Sequence, residues 1–326
     1  MPPLIAIVGE TASGKSALAL ELAQKFNGEI ICADSWTVYR DFDIGTAKPS
    51  TAERALVPHH LLDIADPTEG FSAAIFQRLA NQALMDIASR GKVPILVGGT
   101  GLYVDSVLFD YSFLKPHEPN LRAELNLKNL DELLVLADAR NFDMSNIDVR
   151  NKRRVIRHIE NEGVLPTRQK MRENTLVLGM TIPRDELKVR VAKRVDHMLE
   201  IGLEHEVHEL ALYYGWNVEP MKGIGYREWR DYFTVGDGAG DGGDSKGAST
   251  TILPRTEPIE FSDSAVGQDA DMPALTRQAV RQRIIKSTMD LAKRQRTWFK
   301  RNSSIQPIYD RSYTVELVTT FLNKSI

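Results

Sequence analysis

Gly9, Glu10, Thr11, Ala12, Ser13, Gly14, Lys15 and Ser16 have the types and spacing of a phosphate-binding loop, G-x-x-x-x-G-K-[ST]. The glycines let backbone N–H groups curl around an anion at a helix N-terminus. Lys15 adds a point charge, and the Ser16 hydroxyl suits a Mg²⁺ ion. The loop alone leaves open whether a diphosphate, a nucleotide or another phosphorylated substrate is held. Two further polar features follow apolar runs: Asp34 and Ser35 after Glu29–Ala33, and Gly99 and Thr100 after Val93–Val97. A carboxylate beside a phosphate site can take a proton from a reacting group or bind Mg²⁺, and Asp34 is open to both readings.

The surrounding pattern supplies elements to position these groups. Leu4–Val8 reads as a buried strand and 15–26 as a helix, followed by a second strand at 29–33 that ends at Asp34. Ser72 is placed to cap a helix whose Ile75, Phe76, Leu79, Ala83, Leu84 and Ile87 recur at helical spacing, and Val93–Val97 is the next strand. This alternation predicts an open parallel sheet with its ligand crevice at the carboxyl ends of the strands. The phosphate loop, Asp34–Ser35 and Gly99–Thr100 all fall at those ends. From about 116 to 174 the sequence is charged and helical without a strand, and Leu176–Ile182 returns to the sheet. The expected fold class is therefore α/β: a P-loop NTPase-like parallel sheet flanked by helices. Residues 1–115 and 175–326 form the core, and 116–174 an inserted helical subdomain. A helix over 185–213 and a glycine-containing loop at 222–227 follow.

Charge is unevenly spread. The total of −3 divides into −6 within 236–274, an Asp/Gly-rich stretch expected to be a flexible surface insertion, and +3 elsewhere. Five bases fall within Arg150–Arg157, and nine bases against the single acid Asp290 fall within the helical stretch Arg277–Arg301. Each run taken alone fits a solvated helix face. Together, beside a phosphate loop, they are the electrostatic footprint of a nucleic-acid partner. The one cysteine, Cys32, excludes a disulfide framework or a Cys-based zinc module and reads as a buried small hydrophobe. The adjacent His59 and His60 read as hydrogen-bonded packing. No secretory leader precedes the first strand and no apolar run nears the ~20 residues of a membrane span, so the expected compartment is the cytoplasm.

Eight motifs in order make the reading specific. They are Gly9–Ser16, Asp34–Ser35, 43–49 (DIGTAKP), 58–63 (PHHLLD), 98–103 (GGTGLY), 153–157 (RRVIR), 223–227 (GIGYR), and 292–295 (AKRQ) with Thr297 and Trp298. Together they resemble the tRNA dimethylallyltransferase family over nearly the whole chain, except the acidic stretch and the tail after about Arg301. The resemblance implies transfer of a dimethylallyl group from dimethylallyl diphosphate to N6 of adenosine 37 in the tRNA anticodon stem-loop. It implies a Mg²⁺ cofactor held in part by Ser16, and the expected form is a monomer. Asp34 would be the general base and Thr100 would hydrogen-bond near the reacting centre. The phosphate loop would hold the diphosphate, with Arg227 as a further contact. The tRNA would meet Asp34, Ser35, Trp36, Thr37, Thr100, Arg122, Arg153, Arg154, Val155, Ile156 and Arg157. It would also meet Lys222, Gly223, Ile224, Gly225, Tyr226, Arg227, Lys293, Arg294, Gln295, Arg296, Thr297, Trp298, Phe299 and Lys300. Trp298 and Phe299 at helical spacing also suit a core role.

The chain departs from the family pattern at Glu10, where Pro is usual, and at Thr37, where Gln or Leu is commoner. Met289 and Asp290 stand where Arg and Gln are common. A carboxylate at Glu10 lies beside an anion site, and its side chain is expected to face away. Three other readings remain: a small-molecule kinase on the same fold, a prenyltransferase acting on free adenine nucleotides, and a non-catalytic RNA-binding protein. No lid-type arginine motif and no Asp at the end of Val93–Val97 support the first, and AMP requires no such basic surface.

Overall fold

Strand β1 (Leu4–Gly9) is buried along its whole length, as an apolar run covered on both faces of a parallel sheet should be. The computed structural model describes residues 1–114, 119–234, 275–308 and 310–324. The expected insertion at 236–274 lies outside the described residues. Helix α1 (Lys15–Lys25) leads to β2 (Gly28–Cys32), α2 (Thr51–Leu56) and the two-residue β3 (His59–His60). Helix α3 (Ala73–Ser89) then leads to β4 (Val93–Gly98) and α4 (Gly101–Leu108). Three helices follow without a strand: α5 (Pro119–Leu127), α6 (Leu130–Ala139) and α7 (Lys152–Glu160). Strand β5 (Thr175–Met180), α8 (Arg184–Glu200), α9 (Leu203–Tyr214), α10 (Arg230–Thr234), α11 (Arg277–Phe299), β6 (Ile305–Pro307) and α12 (Arg311–Lys324) complete the chain.

The six strands form one parallel sheet in the order β3-β2-β4-β1-β5-β6. From β1 the chain crosses over to β2, and from β4 it crosses back to β5, so the direction of winding reverses beside β1. Such a switch point opens a crevice at the carboxyl ends of the strands. One face of the sheet packs on α3 and α4 through Phe76, Leu84, Val104 and Leu108. The other packs on α1 and α12 through Leu18, Leu22 and Val318. A third cluster joins α8, α9 and α11 around Trp229 and Tyr226.

Helices α5–α7 pack on one another around Leu125, Leu133, Ala137, Val155, Ile156 and Ile159, giving them a core of their own. Their entry and exit strands run side by side at the Ser112–Thr167 bridge. Where the apolar periodicity predicts one helix over 185–213, the structure has two. Gly202 at φ 104° breaks the run and starts α9, and this left-handed conformation suits glycine. The tail beyond Arg301 adds an edge strand and a helix that the sequence pattern did not announce.

Candidate active site

The phosphate loop is shaped by two glycines. At Gly9, φ is +145° and a Cβ would lie 2.2 Å from the Met180 carbonyl oxygen, so only glycine lets β1 meet β5 there. Gly14, left-handed at φ 97°, turns the chain into α1. Lys15 follows and folds back, its Nζ donating to the Glu10 carbonyl. The loop is also tied to the rest of the crevice. The Thr11 N–H donates to Gln295 Oε1 at 2.8 Å, and Gln295 Nε2 donates to the Gly99 carbonyl at 3.0 Å. Gln295 is thus a buried stitch between the phosphate loop and the end of β4.

Asp34 and Thr100 meet across the ends of β2 and β4. The Thr100 N–H donates to the Ala33 carbonyl at 3.3 Å, and Thr100 Oγ1 accepts from the Ser35 N–H at 3.0 Å. Asp34 Oδ1 accepts from the Trp36 N–H at 2.9 Å. Thr100 therefore fixes the turn that carries Asp34, and one oxygen of Asp34 anchors its own side chain. Asp34, Lys15, Ser16 and Thr37 line one cavity of 540 Å³. The Thr37 hydroxyl is buried there without a partner in the fold.

Three cations of α8, Arg190, Lys193 and Arg194, line the same cavity. Arg190 donates to the Ser13 carbonyl at 3.4 Å and Arg194 to Thr11 Oγ1 at 3.3 Å. Burial, reinforced by the Arg194 charge, pushes the Lys15 ammonium down to about 8, while Asp34 and Glu10 oppose the shift. Burial also lowers Arg194, opposed by Asp34. Four cations, Lys15, Arg190, Lys193 and Arg194, share this cavity with the single carboxylate of Asp34, an excess of positive charge that suits an anion of more than one charge. The sequence reading missed these three residues, although Arg190 and Arg194 at i and i+4 share one helix face. Arg227, expected as a diphosphate contact, is not among the residues lining the cavity. It donates to Glu228 at 3.0 Å and Ser287 at 3.3 Å.

Glu10 is not among the residues lining the cavity, as expected of a side chain that faces away from the anion site. Its side chain is 1% exposed and Oε1 accepts from Arg296 Nε and Nη2 at 3.0 and 2.6 Å. Arg296 also donates to the Ile182 carbonyl at 2.9 Å. The guanidinium neutralises the carboxylate beside the anion site.

The basic clusters face each other across a second cavity of 440 Å³, between α7 and α11, lined by Arg154, Asp290, Lys293, Arg294, Thr297, Trp298 and Arg301. Lys293, Arg294, Thr297 and Lys300 are exposed on α11. Of the other residues expected to meet RNA, Val155, Ile156 and Tyr226 are buried. The first two fill the subdomain core, and the Tyr226 hydroxyl donates to Glu206 at 2.7 Å. Glu206 in turn accepts from the N–H groups of Asp43, Ile44 and Gly45, holding the loop that lends Thr46 and Ala47 to the main cavity. Arg122 and Arg157 both pair with Glu160. Arg153 and Lys222 both pair with Glu219, at 3.4 and 2.9 Å. Trp36 and Ile224 pack partly buried against the α8–α11 core, and Gly223 and Gly225 carry the turn between. Phe299 is buried in the sheet core, and Trp298 packs against it with Nε1 donating to Asp105 at 2.9 Å. His59 and His60 are hydrogen-bonded packing residues, to the Val57 carbonyl and to Glu29, each at 2.7 Å. Among the described residues no helix is long and apolar enough to cross a membrane.

Comparison with known proteins places this geometry among relatives. A family model described as IPP transferase matches residues 37–302. A tRNA dimethylallyltransferase of Roseiflexus castenholzii is 39% identical, over 89% of this chain and 99% of its own length. One from a Roseiflexus species is 45% identical over 72% of this chain and 81% of its own. Among solved structures, the tRNA isopentenylpyrophosphate transferase of Bacillus halodurans aligns with a TM-score of 0.67 at 31% identity, covering 100% of this chain and 97% of its own. A eukaryotic dimethylallyltransferase acting on tRNA aligns with a TM-score of 0.67 at 25% identity, covering 94% of this chain and 74% of its own.

Proposed function

Because this chain belongs to the IPP transferase family, we infer that it transfers a dimethylallyl group from dimethylallyl diphosphate to N6 of adenosine 37 in tRNA and releases diphosphate. It does so as a monomer in the cytoplasm. The observation that carries the reading is a single cavity lined by Lys15, Ser16, Arg190, Lys193, Arg194 and Asp34, which combines an anion grip with a carboxylate.

The exocyclic amine of adenine is a weak nucleophile, because its lone pair is delocalised into the ring. It must be held against the allylic carbon and must lose a proton. The N6–carbon bond forms as the carbon–oxygen bond to diphosphate breaks, and the bonding pair leaves with the diphosphate oxygen. Loop N–H groups, Lys15 and the α8 cations stabilise the charge that develops there. Asp34, with one oxygen anchored on the Trp36 N–H, takes the N6 proton with the other. Thr100 positions it by fixing the Ser35 turn.

The residues fit a Mg²⁺ ion: the Ser16 hydroxyl is a hard oxygen donor on the wall that a diphosphate would face. When bound, the ion would offset charge on the diphosphate oxygens. The target base must leave its stack, which costs a few kcal/mol, and contacts from the α7–α11 groove to the RNA backbone offset that cost.

Incubation with labelled dimethylallyl diphosphate and either bulk tRNA or AMP, followed by nucleoside analysis, tests the reading. Label on N6-modified adenosine from tRNA is expected. Label on AMP alone would replace this function with prenylation of free nucleotides.

A further inference from the structure

A third cavity, of 390 Å³, lies where the exit strand of the helical subdomain passes the end of α11. Its lining includes Arg168, Lys170 and Arg301, with Asn302, Ser303 and Ser304 supplying neutral polar groups and no acid contributing. Arg301 also lines the α7–α11 groove, so the two cavities adjoin at this residue. We propose that this seam holds a stretch of tRNA backbone beyond the nucleotides gripped between α7 and α11. The proposal rests on the tRNA reading above.

The cations are held in place without a direct ion pair, the charge of Asp105 acting on Arg168 and Arg301 from further off. The Arg168 guanidinium stacks on the Phe109 ring with its carbon 3.4 Å from the centroid, and Arg301 sits over Trp298 at 5.6 Å. Stacking fixes the plane of a guanidinium and leaves its N–H edges free for phosphate oxygens. The backbone beneath is equally fixed: the Gln169 N–H donates to the Phe109 carbonyl at 2.9 Å and the Arg172 N–H to the Leu108 carbonyl at 2.7 Å. Among the described residues, no carboxylate stands within ion-pair distance of Arg168, Lys170 or Arg301. The nearby acid is Asp105, and its Oδ2 accepts from Trp298 Nε1.

This differs from the cations closer to α7, where Arg122, Arg153 and Arg157 each have a glutamate partner. Lys293 and Thr297 lie four residues apart on one face of α11, and Arg301 follows in the turn just past the helix end. At 1.5 Å per residue the two helical positions stand roughly 6 Å apart, about the spacing of successive phosphates, and Arg301 extends the row past the helix end. A repeating anion is what such a row fits, and here that is the phosphodiester chain of the tRNA already seated in the groove.

The test replaces charge while keeping the aliphatic stems: Arg168→Gln with Lys170→Gln, against a control of equal charge loss on the opposite face, Lys25→Gln with Lys324→Gln. Binding of tRNA is measured across a salt series, with turnover at saturating tRNA and the KM for dimethylallyl diphosphate alongside. The seam variant is expected to bind tRNA about tenfold more weakly, with a log K against log salt slope smaller by about 2. Its turnover and donor KM stay at wild-type values, and the control is unchanged. A seam variant with wild-type affinity and slope, or a control that weakens equally, overturns the proposal. A wild-type chain that neither binds nor prenylates tRNA would instead overturn the function on which it rests. A loss of folding in the double variant would show in its melting temperature, and Lys170→Gln alone, at an exposed position outside any helix or strand, then decides with half the slope change.

Discussion

Asp34 sits just past the end of a buried strand and lines the cavity, with one carboxylate oxygen committed to the Trp36 N–H. This arrangement orients a base at little entropic cost. Asp34→Ala is expected to lower turnover by about 10²–10⁴-fold while tRNA affinity changes little, since the phosphate contacts lie elsewhere. Single-turnover rates beside filter-binding measurements check this, and near-normal turnover would remove Asp34 from the proton step. Lys15 gives a second prediction at the same scale. Its ammonium is held down to about 8 by burial and by Arg194, and only the protonated form attracts diphosphate. The kcat/KM for the donor should therefore hold below pH 8 and fall as pH rises through it. Bound diphosphate favours the charged lysine, so kcat at saturation should fall at higher pH than kcat/KM. A donor kcat/KM that stays flat to pH 9.5 would contradict this.

Helix α11 does more than carry positive charge, because Gln295 and Arg296 on its inner side hold the phosphate loop. Arg296 compensates Glu10, a carboxylate 1% exposed within the loop itself. Arg296→Ala should cost about 3 kcal/mol of stability, since it leaves a buried carboxylate unpaired. Donor affinity should fall in the same variant, and urea midpoints with donor KM values test both. Glu10→Gln with Arg296→Ala, which removes the charge as well, should recover much of the stability. These elements also show what the sequence could and could not disclose. The phosphate loop, Asp34 and Thr100 were legible because their positions follow from strand ends and local glycine spacing. The pairing of Glu10 with Arg296, 286 residues apart, has no local signature: a side chain turned from the anion site was expected, but its buried guanidinium partner was not. The α8 cations looked like any solvated helix face until the crossover from β5 brought them over the loop. Strand β6 has three residues at a sheet edge, too few for alternation to register. Its Pro307 is tolerated because an edge strand need not donate on both sides.

At the scale of the whole molecule, net charge is a poor guide to partner, because −3 overall coexists with two grooves in which bases far outnumber the one acid, Asp290. Association with a polyanion depends on the local field within about a Debye length, ~8–10 Å at physiological salt. The two cavities beside α11 should therefore dominate, and acids elsewhere should hardly register. If about six phosphates are neutralised, at roughly 0.7–0.9 released counterions each, log K against log salt should fall with a slope of about −4 to −5. Raising salt from about 50 to 200 mM would then weaken tRNA binding by several hundredfold to a thousandfold. The KM for the donor should rise much less over that range, since a small ligand releases fewer counterions than a polyanion. The contrast is the informative quantity. A tRNA slope near zero would mean that the acceptor is a small molecule and that the basic grooves serve something else. A donor KM that rises as steeply as the tRNA constant would mean that the phosphate loop is open to bulk solvent and not sheltered beneath α8 and α11.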